Sequence, residues 1–295
     1  MYLAALALVA VVLAWPVPRW LPAVHRLRKV PGSALLFWQA VSLAAVIAGL
    51  ALAPLAILAT VRRGHAVPSP ADNLGMLALG LAISAVLAGR LLVQGHLIGT
   101  SLRRARREHR ELVDLLARAT PDRGTGGGGV VRVLAHPTPT AYCVPGASHR
   151  VVLSDSTIDA LSADELRAVL AHEWAHLTLR HDLVLEFFTV LHTAVPGWVR
   201  SARGLVEVRL LIELLADRAA VRSVGQVPVA RALVALAEGD HPDAALGYEG
   251  RTALIRLEIL RDTGRHRALV LVAAIGSLVV LALPMVLGAL VIFAG

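Results

Sequence analysis

The chain has 295 residues, 56% of them hydrophobic and 17% charged, and its mean hydropathy is +0.66. That is too apolar for an ordinary soluble domain, and the excess sits in long runs, so the composition points to membrane spans around one soluble domain. The net charge of +8 comes almost entirely from arginines beside apolar runs, which fits anionic lipid and topology signals rather than nucleic acid. The single Cys143 excludes an internal disulfide and a Cys-rich zinc site.

Tyr2–Trp15 is an uninterrupted apolar run directly after Met1. No basic segment precedes it, and Pro16-Val17-Pro18-Arg19 follows in place of a small-residue cleavage site. It therefore reads as a short first membrane span, 2–21, rather than a signal peptide. Residues 34–60 carry no charge and can cross a hydrocarbon core of about 30 Å with some tilt. A third span, 74–100, contains Arg90, which is costly facing lipid and is expected to meet a neighbouring helix.

Residues 101–119 read as a charged amphipathic helix with Arg103, Arg104, Arg106, Arg107 and Arg110. Beside a membrane this pattern contacts anionic lipid; it lacks the aromatic interleaving of a nucleic-acid arm. Residues 121–129 form a glycine-rich linker, and no Lys-Ser/Thr follows to make it a phosphate loop. Short β-like runs at 130–135, 140–144 and 150–153 predict a small antiparallel sheet, and 154–161 a brief helical turn. Residues 183–195 are apolar but too short to span, so they are expected as a core helix or one resting against the bilayer. Helices follow at 203–221 and 228–238. Residues 268–294 form a last charge-free span, in which Gly276, Pro284 and Gly288 are tolerated.

The chemistry is concentrated in 166–179, around His172-Glu173-Trp174-Ala175-His176. Ser162 as N-cap and Glu165 three residues on make a capping box, which predicts a helix here. On that helix His172 and His176 are one turn apart, about 6 Å along the axis, on one face. Two imidazoles so placed can each reach one zinc ion. Glu173 points beside the metal, where its carboxylate can take a proton from the attacking water. The bland reading is a polar stripe on a surface helix. Ala168, Val169, Leu170, Trp174 and Leu177 make the helix apolar on most sides, and a metal would satisfy its buried polar groups.

A catalytic zinc keeps three protein ligands. Downstream candidates are His181, Asp182, Glu186, His192, Glu207, Glu213 and Asp217. Glu213 and Asp217 stand out, being i,i+4 on an apolar helix. Glu213 can ligate, and Asp217 can accept the other N–H of a ligating His and fix its tautomer. The alternative is a salt-bridged surface face with Arg209 and Arg218, against which Leu210, Leu211, Ile212, Leu214 and Leu215 argue. His181 and Asp182 read equally well as polar groups at a helix end. Tyr248 and His241 are conceivable oxyanion donors, without support from spacing.

His172-Glu173-Trp174-Ala175-His176 with Glu213-Leu214-Leu215-Ala216-Asp217 resembles the gluzincin peptidases of integral membranes. The run Leu161–Glu173 followed by Arg180-His181-Asp182 is most similar to the BlaR/MecR-type family, as is the plan of three spans before the domain and one after. The resemblance implies a cytosolic zinc endopeptidase that cleaves a transcriptional repressor, and often itself, in response to an outside signal. The family's antibiotic sensors carry an extracellular penicillin-binding domain after the last span; the chain stops at Gly295, so β-lactam sensing is not expected. The HtpX-type and CAAX-processing membrane proteases share these zinc motifs.

The sequence thus predicts a mostly α membrane protein. Three helices in 1–100 and one in 268–295 flank a cytosolic α+β gluzincin-like domain, 101–267. Arg19, Arg26, Arg28 and Lys29 in the first loop and the arginine cluster after the third span put both loops in the cytoplasm and both termini outside. The expected activity is a zinc-dependent endopeptidase in the cell membrane. Zn2+ is held by His172, His176 and Glu213, with Glu173 as base and Asp217 supporting a ligand. Its partners are the bilayer and a protein or peptide substrate, a winged-helix repressor among the candidates, with no direct nucleic-acid contact. The alternatives are quality-control proteolysis of membrane proteins, as in the HtpX type, and a non-catalytic signalling protein with a structural zinc, in which His181 would be a fourth ligand.

Overall fold

A computed structural model describes residues 1–63, 70–120, 130–146, 149–239 and 248–293. The expected linker at 121–129, His241 and the Tyr248 side chain lie outside the described residues. The first elements are α1 (Tyr2–Ala14), α2 (Val17–Trp20), α3 (Pro31–Arg63), α4 (Pro70–Leu116), β1 (Arg118–Thr120), β2 (Val130–Leu134), β3 (Ala141–Val144) and β4 (Arg150–Ser154). Then come α5 (Asp155–Ala160), α6 (Ala163–Thr178), α7 (His181–Ala194), α8 (Ala202–Val224), α9 (Gln226–Gly239), α10 (Tyr248–Arg261) and α11 (Arg267–Phe293). They divide into two compact units: 1–98 with 187–208 and 266–295, and 99–186 with 209–265.

In the first unit α1, α3 and α11 pack on one another, with Leu13, Val41 and Ala44 buried among Phe37 and Val280. Among the described residues, four stretches are long and apolar enough to cross a membrane: Tyr2–Ala23, Pro31–Ala59, Gly80–Leu116 and Arg267–Phe293. Small residues let α3 and α4 approach closely, as is usual between helices in lipid. A Cβ on Gly49 would lie 2.9 Å from Leu87, and Ser84 Oγ donates to the Gly49 carbonyl at 3.2 Å. Arg90 does meet a neighbouring helix, donating to the Ala194 and Thr193 carbonyls at the end of α7. Arg28 makes a two-pronged pair with buried Glu207, at 2.8 and 2.7 Å.

The third span and the arginine-rich helix, expected as separate elements, are one continuous α4 of 47 residues. No Gly or Pro follows Gly99 within it, so nothing stops the helix before Leu116.

In the second unit the sheet has the order β1-β2-β4-β3. It corrects the antiparallel sheet expected from the sequence. β1–β2 and β3–β4 are antiparallel, but β2 and β4 run parallel, with Val131 opposite Val151 and Val133 opposite Leu153. β3 sits outside β4, so β4 pairs on both sides. Its residues 151–154 are buried throughout, as suits a strand covered on both faces. Alternation sends Val151 and Leu153 into a core with Val169, Trp174 and Leu177 of α6 and Val229 and Ala232 of α9. Val152 points the other way, onto Val113 and Ala117. Such buried side chains stabilise by about 1.5–3 kcal/mol each, and they fix α6 against the sheet.

Candidate metal centre

α6 forms where its caps dictate. Ser162 Oγ accepts from Glu165 N, and the Glu165 carboxylate accepts from Ser162 N at 2.8 Å. One helical turn then sets His172 beside His176, their rings edge-on with centroids 4.9 Å apart. α6 ends at Arg180, whose φ of 53° is the left-handed turn that closes many helices. The turn starts α7 at His181, whose buried ring lies edge-on to His176 at 4.8 Å.

α8 supplies the remaining groups. His172 Nε2 and His176 Nε2 are 3.1 Å apart, and the Glu213 carboxylate oxygens lie 3.4 Å from the first and 3.6 Å from the second. These three residues form the one grouping among the described residues that is suited to a metal ion. A four-coordinate zinc with bonds of about 2.0–2.1 Å separates its ligand atoms by about 3.3–3.4 Å. The triangle seen here has those dimensions.

The outward nitrogens have partners. His172 Nδ1 lies 3.0 Å from Asp217 Oδ1, and His176 Nδ1 lies 3.0 Å from His181 Nδ1. With protons on both Nδ1 atoms, both Nε2 lone pairs face the Glu213 oxygens. In that tautomer the inward atoms are all acceptors, which is the donor set a metal ion requires. His181 Nε2 is buried and finds no partner among the described residues.

Arg256, on α10, was not singled out in the sequence. Its Nε and Nη2 donate to the two Asp217 oxygens at 2.7 and 2.6 Å, and its Nη1 lies 3.2 Å from Glu213 Oε2. One guanidinium so braces the carboxylates of two successive turns of α8. Cys143, on β3, was also missed; burial and the neighbouring Glu173 push its thiol pKa up. Neither carries a local signal: Arg256 is 39 residues from Asp217, and Cys143 is one residue of an edge strand.

The remaining candidates go elsewhere. Glu207 is paired with Arg28, and His192 belongs to the first unit. Asp182 accepts from Arg106 at 3.0 Å, and Glu186 is 3.9 Å from the same guanidinium.

The groups of the cluster are shifted in different directions. Burial opposes protonation of His172, but Asp217 and Glu213 outweigh it and raise its pKa to about 9. His176, buried without such help, falls to about 4, and His181 behaves alike. Burial would raise Glu213 and Asp217, but His172 and Arg256 hold both at about 2. Burial and the charge of Glu213 push the Glu173 carboxyl up.

The comparisons with known proteins agree with this chemistry. Peptidase family M48 matches residues 104–239, which contain the whole HExxH helix, Glu213 and Asp217. "Plastoglobule-localized metallopeptidase 48, chloroplastic" of Arabidopsis thaliana is 36% identical over 115 residues, covering 35% of this chain and 33% of that protein. The chain thus spans about a third of the length of the curated relative it matches. No solved structure matches. Residues 104–239 are thus similar to Peptidase family M48 metallopeptidases, in a chain with four helices, among the described residues, apolar enough for a membrane.

Proposed function

We propose that the chain is a membrane-embedded, zinc-dependent endopeptidase whose peptidase domain faces the cytoplasm. The observation that carries this reading is the set of His172 Nε2, His176 Nε2 and the Glu213 oxygens, 3.1–3.6 Å apart, beside a half-buried Glu173. Zinc held by these three residues supplies Lewis acidity for the scissile carbonyl and for the attacking water. Asp217 accepts from His172 Nδ1–H, so Nε2 presents its lone pair. His181 does the same for His176. Glu173, next to the ligand His172 on α6, takes the water's proton and delivers it to the leaving amine. Arg256 keeps Glu213 and Asp217 in register on α8.

Among the described residues β3 is an edge strand, and it packs next to the Glu173 helix. An extended substrate adds to this edge as a further strand, which brings a peptide bond past Glu173. β4 is paired on both sides and has no edge to offer.

The BlaR/MecR-type resemblance favours a cytosolic transcriptional repressor as substrate, with membrane-protein quality control as the second reading. Against a structural zinc, His181 faces the outward nitrogen of His176, away from the donor triangle.

The test is metal content of the full chain purified into lipid vesicles. Wild type should carry about one zinc per chain, and His176→Ala and Glu213→Ala should lose it. A wild-type protein that takes up no zinc removes the reading. Incubation with a winged-helix repressor and, separately, with an unfolded membrane protein then decides the substrate class by which is cut.

A further inference from the structure

We infer that the turn between α7 and α8 is a membrane-docking element whose tip, around Gly197 and Trp198, sits in the headgroup layer of the bilayer. The inference rests on the reading that the four apolar helices span a membrane. The turn belongs to the same compact unit as those helices.

The first observation is how its backbone is satisfied. Loops in water leave much of their backbone to solvent. Here every carbonyl from Thr193 to Arg200 has a protein donor. Arg90 donates to Thr193 and Ala194, and Arg200 to Thr193 and Val195. Val199 N donates to Pro196, and Arg200 N to Gly197. Arg19 completes the set, giving Nη1 to Val199 at 2.9 Å and Nη2 to Trp198 and Arg200 at 2.7 and 3.1 Å. Three guanidiniums thus replace water along a non-helical segment. That is the condition for irregular backbone at membrane depth.

The second observation is what the turn shows to its surroundings. Trp198 and Trp20 are each 72% exposed and Trp15 is 46% exposed. Trp15 and Trp198 touch edge-on at 6.4 Å, and the Arg19 guanidinium lies 5.7 Å over the Trp15 ring. Exposed tryptophans interleaved with arginine are poorly suited to water. They match the headgroup boundary, where indole rings settle and guanidiniums reach phosphate. Gly197 at the tip has open space around it, so no protein group covers it.

A fluorescent label reads this directly. Gly197→Cys, Leu278→Cys and Asp164→Cys are each labelled with an environment-sensitive dye in the full chain. Wild type, whose one thiol is partly buried, serves as the labelling blank. Leu278 is 69% exposed on α11, and the Asp164 side chain is 63% exposed on α6. The proteins are reconstituted in phosphatidylcholine–phosphatidylglycerol vesicles. Quenching is compared between lipids carrying a nitroxide near the headgroup or deep in the chain, and aqueous iodide. The label at 197 should be quenched by the shallow nitroxide at least about threefold more than the label at 164, and be shielded from iodide by a similar factor. The label at 278 should respond to the deep nitroxide. If 278 responds but 197 behaves like 164, the docking turn is wrong while the spans stand. If 278 meets no lipid, the spanning reading fails and the inference falls with it.

Discussion

Asp217 Oδ1 lies 3.0 Å from His172 Nδ1, the nitrogen that faces away from the donor triangle. In the proposed zinc site the contact fixes the tautomer in which His172 Nε2 is free to ligate, and makes that nitrogen more basic. Asp217→Asn should weaken zinc binding by about 10- to 100-fold, as seen in competition with a chromophoric chelator. Wild-type affinity in that variant would show that the contact does not tune the ligand.

Arg256 and Asp217 form a buried, two-pronged ion pair, with Asp217 1% exposed. Removing one partner leaves the other charge buried alone. Arg256→Leu should cost about 3–5 kcal/mol in chemical denaturation of the solubilised protein. Arg256→Lys should fall between, since an ammonium cannot reproduce the fork. Leu and wild type unfolding at the same denaturant concentration would rule out this brace.

In the proposed site His181 acts through His176, 3.0 Å away, so its removal should be felt in metal binding. His181→Leu leaves His176 Nδ1 without an acceptor and should lower zinc affinity by about tenfold. His181→Asn places an amide oxygen near the lost nitrogen and should recover part of it. The visible bands of the cobalt-substituted protein should shift in Leu and return toward wild type in Asn. Identical spectra in all three proteins would make His181 a packing residue only.

Much of the centre was legible because it is local. A capping box, two histidines one turn apart and two acids one turn apart leave a period that sequence displays. What escaped depends on chain segments far apart. Arg256 reaches α8 from α10, and nothing near Arg256 in the chain announces that pairing. The parallel pairing of β2 and β4 follows from β3 lying outside β4, and residue alternation along a strand is blind to neighbour order. The continuity of α4 was masked by composition, because apolar and arginine-rich stretches look like two elements while the backbone passes through both.

Asp114 accepts from Arg150 at 2.7 and 2.6 Å and lies 2.9 Å from Arg132, clamping β4 and β2 from the end of α4. The hydrogen bond from Arg150 chiefly holds its pKa below the usual carboxylate value, against a small opposing effect of burial. A carboxyl whose pKa is lower folded than unfolded stabilises above the unfolded value and loses that as pH falls through the folded one. Asp114 is partly exposed, so the effect should be at most about 1 kcal/mol. Wild type and Asp114→Asn should therefore differ at pH 7 and converge below about pH 3 in denaturation. A constant difference across that range would contradict the clamp.

The most direct measurement is peptide-bond cleavage by zinc-loaded wild type and Glu173→Gln, on an unfolded protein substrate, with metal content determined on the same samples. Both proteins should hold about one zinc per chain, because Glu173 is not a ligand. Wild type should cut, and Glu173→Gln should be slower by about 10²–10⁴-fold, the usual worth of a positioned general base. Equal cleavage by the two proteins at equal zinc content would contradict the mechanism.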